Sequence, residues 1–92
     1  MKNVLITTKY RGVWFAQVDE GKDLTEKTLT DLKNCRMCIY WNTKGGLHEL
    51  ADVGPNSGSR IGNSCNIKVL HYITAVFDVT DDAAEKFMSW SK

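Results

Sequence analysis

The chain has 92 residues, 42% of them hydrophobic and 25% charged, with a formal net charge of +1. That length allows one core and excludes two, and a charge so close to neutral argues against duplex DNA, whose phosphates need an extended basic face. No stretch approaches the roughly 18 apolar residues of a membrane span, and Met1 to Thr8 lacks a signal peptide's apolar run and cleavage site, so a cytoplasmic protein without a membrane partner is expected.

Asn3 to Thr8 is β-branched and apolar, Lys9-Tyr10-Arg11-Gly12 reads as a turn, and Val13, Phe15 and Gln17 then alternate with Trp14, Ala16 and Val18. This is the pattern of a β-hairpin. Glu20 to Asp23 forms the next turn; Thr28 to Leu32 and Cys35 to Trp41 read as third and fourth strands, the latter stopping at Asn42-Thr43-Lys44-Gly45-Gly46. Leu47, Leu50 and Ala51 share one face of a helix of about two turns, which Gly54-Pro55 ends. Positions 56–63 read as a loop, pinned by Ile61 entering the core. Lys68 to Val79 is apolar enough for a single central strand covered on both faces. Thr80 then caps a C-terminal helix whose Ala84, Phe87 and Met88 recur at i, i+3, i+4. The predicted order is β-β-β-β-α-β-α. It describes one α+β domain over 1–92: a small, strongly twisted, mainly antiparallel sheet or SH3-like partial barrel of about five strands, with one short internal helix and a C-terminal one.

Three cysteines, an odd number, suit reduced thiols better than a disulfide framework. Cys35 and Cys38 spell C-x-x-C, but in a strand side chains at i and i+3 point to opposite faces, so neither a shared metal nor a bridge between them is expected. A zinc set would need Cys65 and His48 or His71 as well, and no second paired motif supports it. Leu47-His48-Glu49-Leu50 lacks the second histidine of a metalloprotease helix, and Asp19, Glu20, Asp81 and Asp82 fit turn and capping roles. No nucleophile, base or complete metal set can be assembled. The expectation is a binding protein with no cofactor, rather than an enzyme.

The cationic and aromatic residues carry the binding argument. Lys44-Gly45-Gly46 ahead of a helix can offer amides and a charge to an anion, and Ser57-Gly58-Ser59-Arg60 can offer a donor-rich loop, although helix capping and an ordinary surface loop explain both. Among the rings Tyr10, Trp14, Tyr40, Trp41 and Tyr72, those beside turns, Tyr10 and Trp41, suit stacking on a planar group, and Arg11 lies next to Tyr10. The expected ligand-binding set is Tyr10, Arg11, Trp41, Lys44 and Arg60.

Val4-x-Ile6-x-Thr8, Gly12-Val13-x-Phe15, Asn34-Cys35-Arg36, Trp41, Leu47-x-Glu49-Leu50 and Thr80-Asp81-Asp82-Ala83 together resemble a family of small uncharacterised bacteriophage proteins. The resemblance spans nearly the whole chain, departing from the family pattern at Cys35 and in a longer Asp23 to Thr30 connection. It implies an anti-defence protein acting as a homo-oligomer in the host cytoplasm. Such a sponge would sequester a host immune nucleotide of the cyclic or ADP-ribose type, with Arg or Lys on phosphate and rings on the base. The same resemblance allows an inhibitor that occludes a host defence protein. A single-stranded nucleic-acid binder using the same rings and cations is a third reading.

Overall fold

A computed structural model describes residues 1–9, 12–41 and 43–90. The chain runs β1 (Lys2–Thr8), β2 (Val13–Val18), β3 (Leu29–Tyr40), α1 (Gly46–Val53), β4 (Arg60–Ile61), β5 (Cys65–Leu70), β6 (Ile73–Asp78) and α2 (Asp81–Ser89). The six strands form one antiparallel sheet in the order β4-β3-β2-β1-β6, with β5 also paired to β3. The α+β class, the short internal helix and the terminal helix are as the sequence indicates.

The first hairpin obeys its alternation. Val13 and Phe15 face a cluster beneath the helices with Leu5, whereas Ala16 and Val18 face a second cluster with Val4 and Ile6. Gly12 is sterically required here, since a Cβ on it would sit 2.6 Å from Thr8 Oγ1 and 3.2 Å from Trp14 Nε1. The space goes instead to a bond from the Gly12 amide to the Thr8 hydroxyl, 3.0 Å.

Three expectations are corrected. The predicted third and fourth strands are one strand, β3, bent by left-handed backbone at Asp31 (φ 56) and Asn34 (φ 51). Asn and Asp tolerate that region better than other non-glycine residues, which lets the ladder continue through the bend. The predicted central strand from Lys68 to Val79 is two strands, β5 and β6, broken at Tyr72 (φ 63). Neither is central nor buried on both faces: β6 pairs only with β1 on the ordered path, β5 only with β3, and Val69 is 45% exposed. Finally, Ala83 rather than Met88 joins Ala84 and Phe87 on the buried face of α2, leaving Met88 exposed.

Chain connectivity explains how both faces become covered. Only His71 and Tyr72 join β5 to β6, and three residue steps reach at most roughly 11 Å. Laid flat, the path β5-β3-β2-β1-β6 would hold those strands about 19 Å apart at ~4.8 Å per neighbour. The sheet therefore curls until its ends approach, without closing into a barrel. The crossing is tied down by bonds from Ile73 N to Lys27 O and Lys9 N to Tyr72 O, both 2.9 Å. Inside the curl lie Val4, Ile6, Ala16, Val18, Leu29, Leu32 and Cys35.

The opposite face carries the helices. Leu50 and Ala51 of α1 and Ala83, Ala84 and Phe87 of α2 cover Leu5, Phe15, Cys38 and Ile61. Phe87 stacks on Phe15 with centroids 4.8 Å apart and planes within 10°, a pairing worth roughly 1 kcal/mol beyond its buried area. The Thr80 hydroxyl accepts from Ala83 N at 3.1 Å, capping α2, and donates to Asp52 O at 2.6 Å, joining the two helices. Gly54 ends α1 at φ 85, where a Cβ would lie 3.2 Å from Ala83 Cα.

Candidate functional site

The C-terminal end of β3 meets the two residues of β4 at a corner of the sheet. In that ladder Cys38 opposes Ile61 and Tyr40 opposes Arg60, with an irregularity between the two pairs. The inner pair is buried and anchors the corner, whereas Tyr40 (52% exposed) and Arg60 are both exposed. Trp41 follows directly, half-buried and packed against the helix-side core. Lys44, exposed in the turn before α1, lies within roughly 11 Å of Trp41 along the chain.

Of the five expected ligand residues, Arg60 lies opposite Tyr40, the residue before Trp41, and Lys44 follows Trp41 by three residues. Tyr10 and Arg11 lie outside the described residues. Tyr40 is the residue that sequence reasoning passed over: its pairing with Arg60 depends on a long-range ladder, and no local signal marks it. Trp41 offers less free ring than expected because it contributes to the core.

The two expected phosphate-binding loops satisfy themselves. Glu49 Oε1 accepts from Gly45 N at 2.8 Å, so the α1 N-terminus already holds a carboxylate of its own chain. Thr43 Oγ1 donates to Gly46 O at 2.8 Å and fixes the same turn. In the other loop, Ser59 is buried, its hydroxyl bonding Asn56 Oδ1 at 3.0 Å and its amide bonding Asn56 O at 3.1 Å. What these loops present outward is the Lys44 and Arg60 charges.

Arg36 is the cation that the fold consumes. Only 8% exposed, it donates from Nε to Gly62 O and from Nη1 to Phe87 O, both 2.7 Å. It thus satisfies a carbonyl in the last turn of α2, where the helix dipole favours positive charge, and ties that turn to the loop after β4.

The C-x-x-C thiols point to opposite faces, as strand geometry requires: Cys35 lies inside the curl and Cys38 beneath the helices. Desolvation pushes the Cys35 thiol up to about 11 and the Cys38 thiol up to about 12. Both are protonated at neutral pH and poor nucleophiles. His48 is exposed on α1, with its ring edge-on to Phe77 at 5.5 Å, and His71 sits exposed in the β5–β6 turn, with Nδ1 3.1 Å from Thr28 Oγ1. Among the described residues no group of three His, Cys, Asp or Glu side chains is placed to hold a metal.

A shallow groove of about 430 Å³ between β1 and α2 is lined by Asn3, Asp81, Ala84, Glu85, Met88 and Ser89. Its two carboxylates repel an anion, and none of Trp41, Lys44 and Arg60 lines it.

Fold and corner together define a small α+β domain with an open, curled antiparallel sheet and a cationic, aromatic edge. The chain belongs to a family described as a domain of unknown function, DUF6948, whose model matches residues 1–87. No curated protein and no solved structure matches it.

Proposed function

We propose that this domain is a non-enzymatic binding protein that holds a planar, anionic ligand of the nucleotide type at the β3–β4 corner. The observation that carries this reading is the Tyr40–Arg60 ladder pair, an exposed tyrosine and an exposed arginine opposed across β3 and β4, with exposed Lys44 four residues after Tyr40. A base stacks on the ring, while guanidinium and ammonium take phosphate oxygens. In this reading the protein acts in the cytoplasm as an oligomer that sequesters a host immune nucleotide of the cyclic or ADP-ribose type. Resemblance to small phage proteins supports the counter-defence setting. No helix among the described residues is long and apolar enough to cross a membrane.

Titration calorimetry with cyclic dinucleotides and with ADP-ribose tests the proposal. Saturable heat from one of them is expected, with Arg60→Ala weakening affinity by roughly 10- to 100-fold, as loss of a charge-assisted bond implies. Absence of heat from both classes sinks it.

Met37, Ile39 and Tyr40 are exposed on the same strand, which favours a second reading in which β3 docks on a host defence protein. Capture of one host protein from lysate by the intact domain, lost in Ile39→Asp, would select this reading over sequestration.

A further inference from the structure

We propose that Cys35 and Cys65, rather than the two cysteines of the C-x-x-C motif, form a reversible disulfide that latches β5 to β3 when the protein meets a low-molecular-weight disulfide such as oxidised glutathione. The pair is made by topology. Cys65 opens β5, and it is the Cα partner of Cys35 across the antiparallel ladder, just past the irregularity that follows Leu32. Directly opposed residues in such a ladder have Cα atoms about 4.5 to 5.5 Å apart. That lies inside the roughly 4.4 to 6.8 Å range of natural disulfides. Both side chains belong to one face of the sheet, because opposed residues do. Charge on Cys65 raises the Cys35 thiol further, a second sign that the two sulfurs are close.

The two thiols divide the chemistry. Cys65 is exposed and can meet a soluble oxidant, whereas Cys35 is fully buried and cannot. The Cys65 thiolate attacks one sulfur of the oxidant, forming a mixed disulfide and expelling one thiolate. Cys35 gives its proton to a departing thiolate and attacks the Cys65 sulfur, expelling the second thiol. Two protein thiols are oxidised, one small disulfide is reduced to two thiols, and no other reactant is needed. Cys38 takes no part, since it faces the helix-side core. The loop closed by the bond contains the end of β3, α1 and β4, so the latch removes freedom from the unfolded form of that whole stretch.

The test treats the intact native protein with oxidised glutathione, then alkylates remaining thiols and maps linked peptides by mass spectrometry. The expected product carries no disulfide between chains and has each chain lighter by two hydrogen atoms, with Cys38 alone alkylated and a Cys35–Cys65 peptide that dithiothreitol releases. Its melting temperature should rise on oxidation and return on reduction. Cys38→Ser should form the same link, whereas Cys65→Ser should form none and keep its melting temperature under oxidant. A Cys35–Cys38 peptide, a dimer linked through Cys65, or a glutathione adduct that persists on Cys65 would each overturn the proposal.

Discussion

Arg36 shows how one residue can be spent on architecture. Its guanidinium is buried, and two carbonyls from distant parts of the chain, on Gly62 and Phe87, accept from it. Truncation to Ala removes both charge-assisted bonds, leaving Phe87 O with only the 3.4 Å bond from Trp90 N, and should cost about 3 kcal/mol, given ~1.5 to 3 kcal/mol for a bond to a charged group. Arg36→Lys should recover only part of this, because an ammonium lacks the planar fork. Urea unfolding measures both; a loss below roughly 1 kcal/mol for the Ala variant would mean that water replaces the guanidinium. The sequence sets Arg36 in a strand and Arg60 in a polar loop, but neither setting shows which guanidinium is buried. Arg36 is buried because the end of α2 lies over it, whereas Arg60 is exposed, a decision made by tertiary packing. The opposite facing of Cys35 and Cys38, by contrast, follows from strand geometry alone and was legible. Their partner Cys65 was not, because strand pairing between distant segments leaves no local mark.

At the scale of elements, the readable features were those with local causes. The hairpin alternation, the Gly54 stop and the Thr80 cap each depend on neighbours within a few residues. The misread features were a bend mistaken for a break and a break mistaken for continuity. β3 survives Asp31 and Asn34 because its ladders to β2 and β5 continue on either side. β5 and β6 separate at Tyr72 because the two halves pair with different strands. The bend at Asp31 makes a direct prediction. Asp31→Val places a β-branched residue in left-handed backbone at an exposed position and should destabilise the fold by about 1 to 2 kcal/mol, whereas Asp31→Gly should be neutral or slightly stabilising. Chemical denaturation of the two variants checks the difference, and equal midpoints would show that β3 straightens at no cost.

For the whole molecule, the two buried thiols couple stability to alkaline pH. An unfolded thiol ionises near its ordinary value of 9.0, whereas the folded chain holds Cys35 and Cys38 protonated up to about 11 and about 12. With folded values raised, the unfolded chain binds fewer protons above pH 9, so this contribution is whole below pH 9 and is lost as pH climbs through 11 and 12. Guanidinium midpoints should fall across that window, and less steeply in Cys38→Ala. An identical slope in that variant would assign the loss to other groups. The helix-covered core that buries Cys38 was foreseeable from the periodicity of α1 and α2. The curl that buries Cys35 was not, since it follows from the brevity of the His71-Tyr72 link between strands on opposite sides of the sheet.

Pairing of β1 with β6 also governs how the domain is made. The hydroxyls of Thr7 and Thr74 meet at 2.7 Å although the residues are 67 positions apart in sequence. During synthesis β1 can zip early to β2, but its other edge stays bare until β6 has left the ribosome. Closure across so long a separation is slow, and a bare apolar edge is the kind that joins a neighbouring nascent chain. Yield of this protein in cells should therefore be governed by the traffic of half-made copies, with cooling and sparse expression favouring the native sheet.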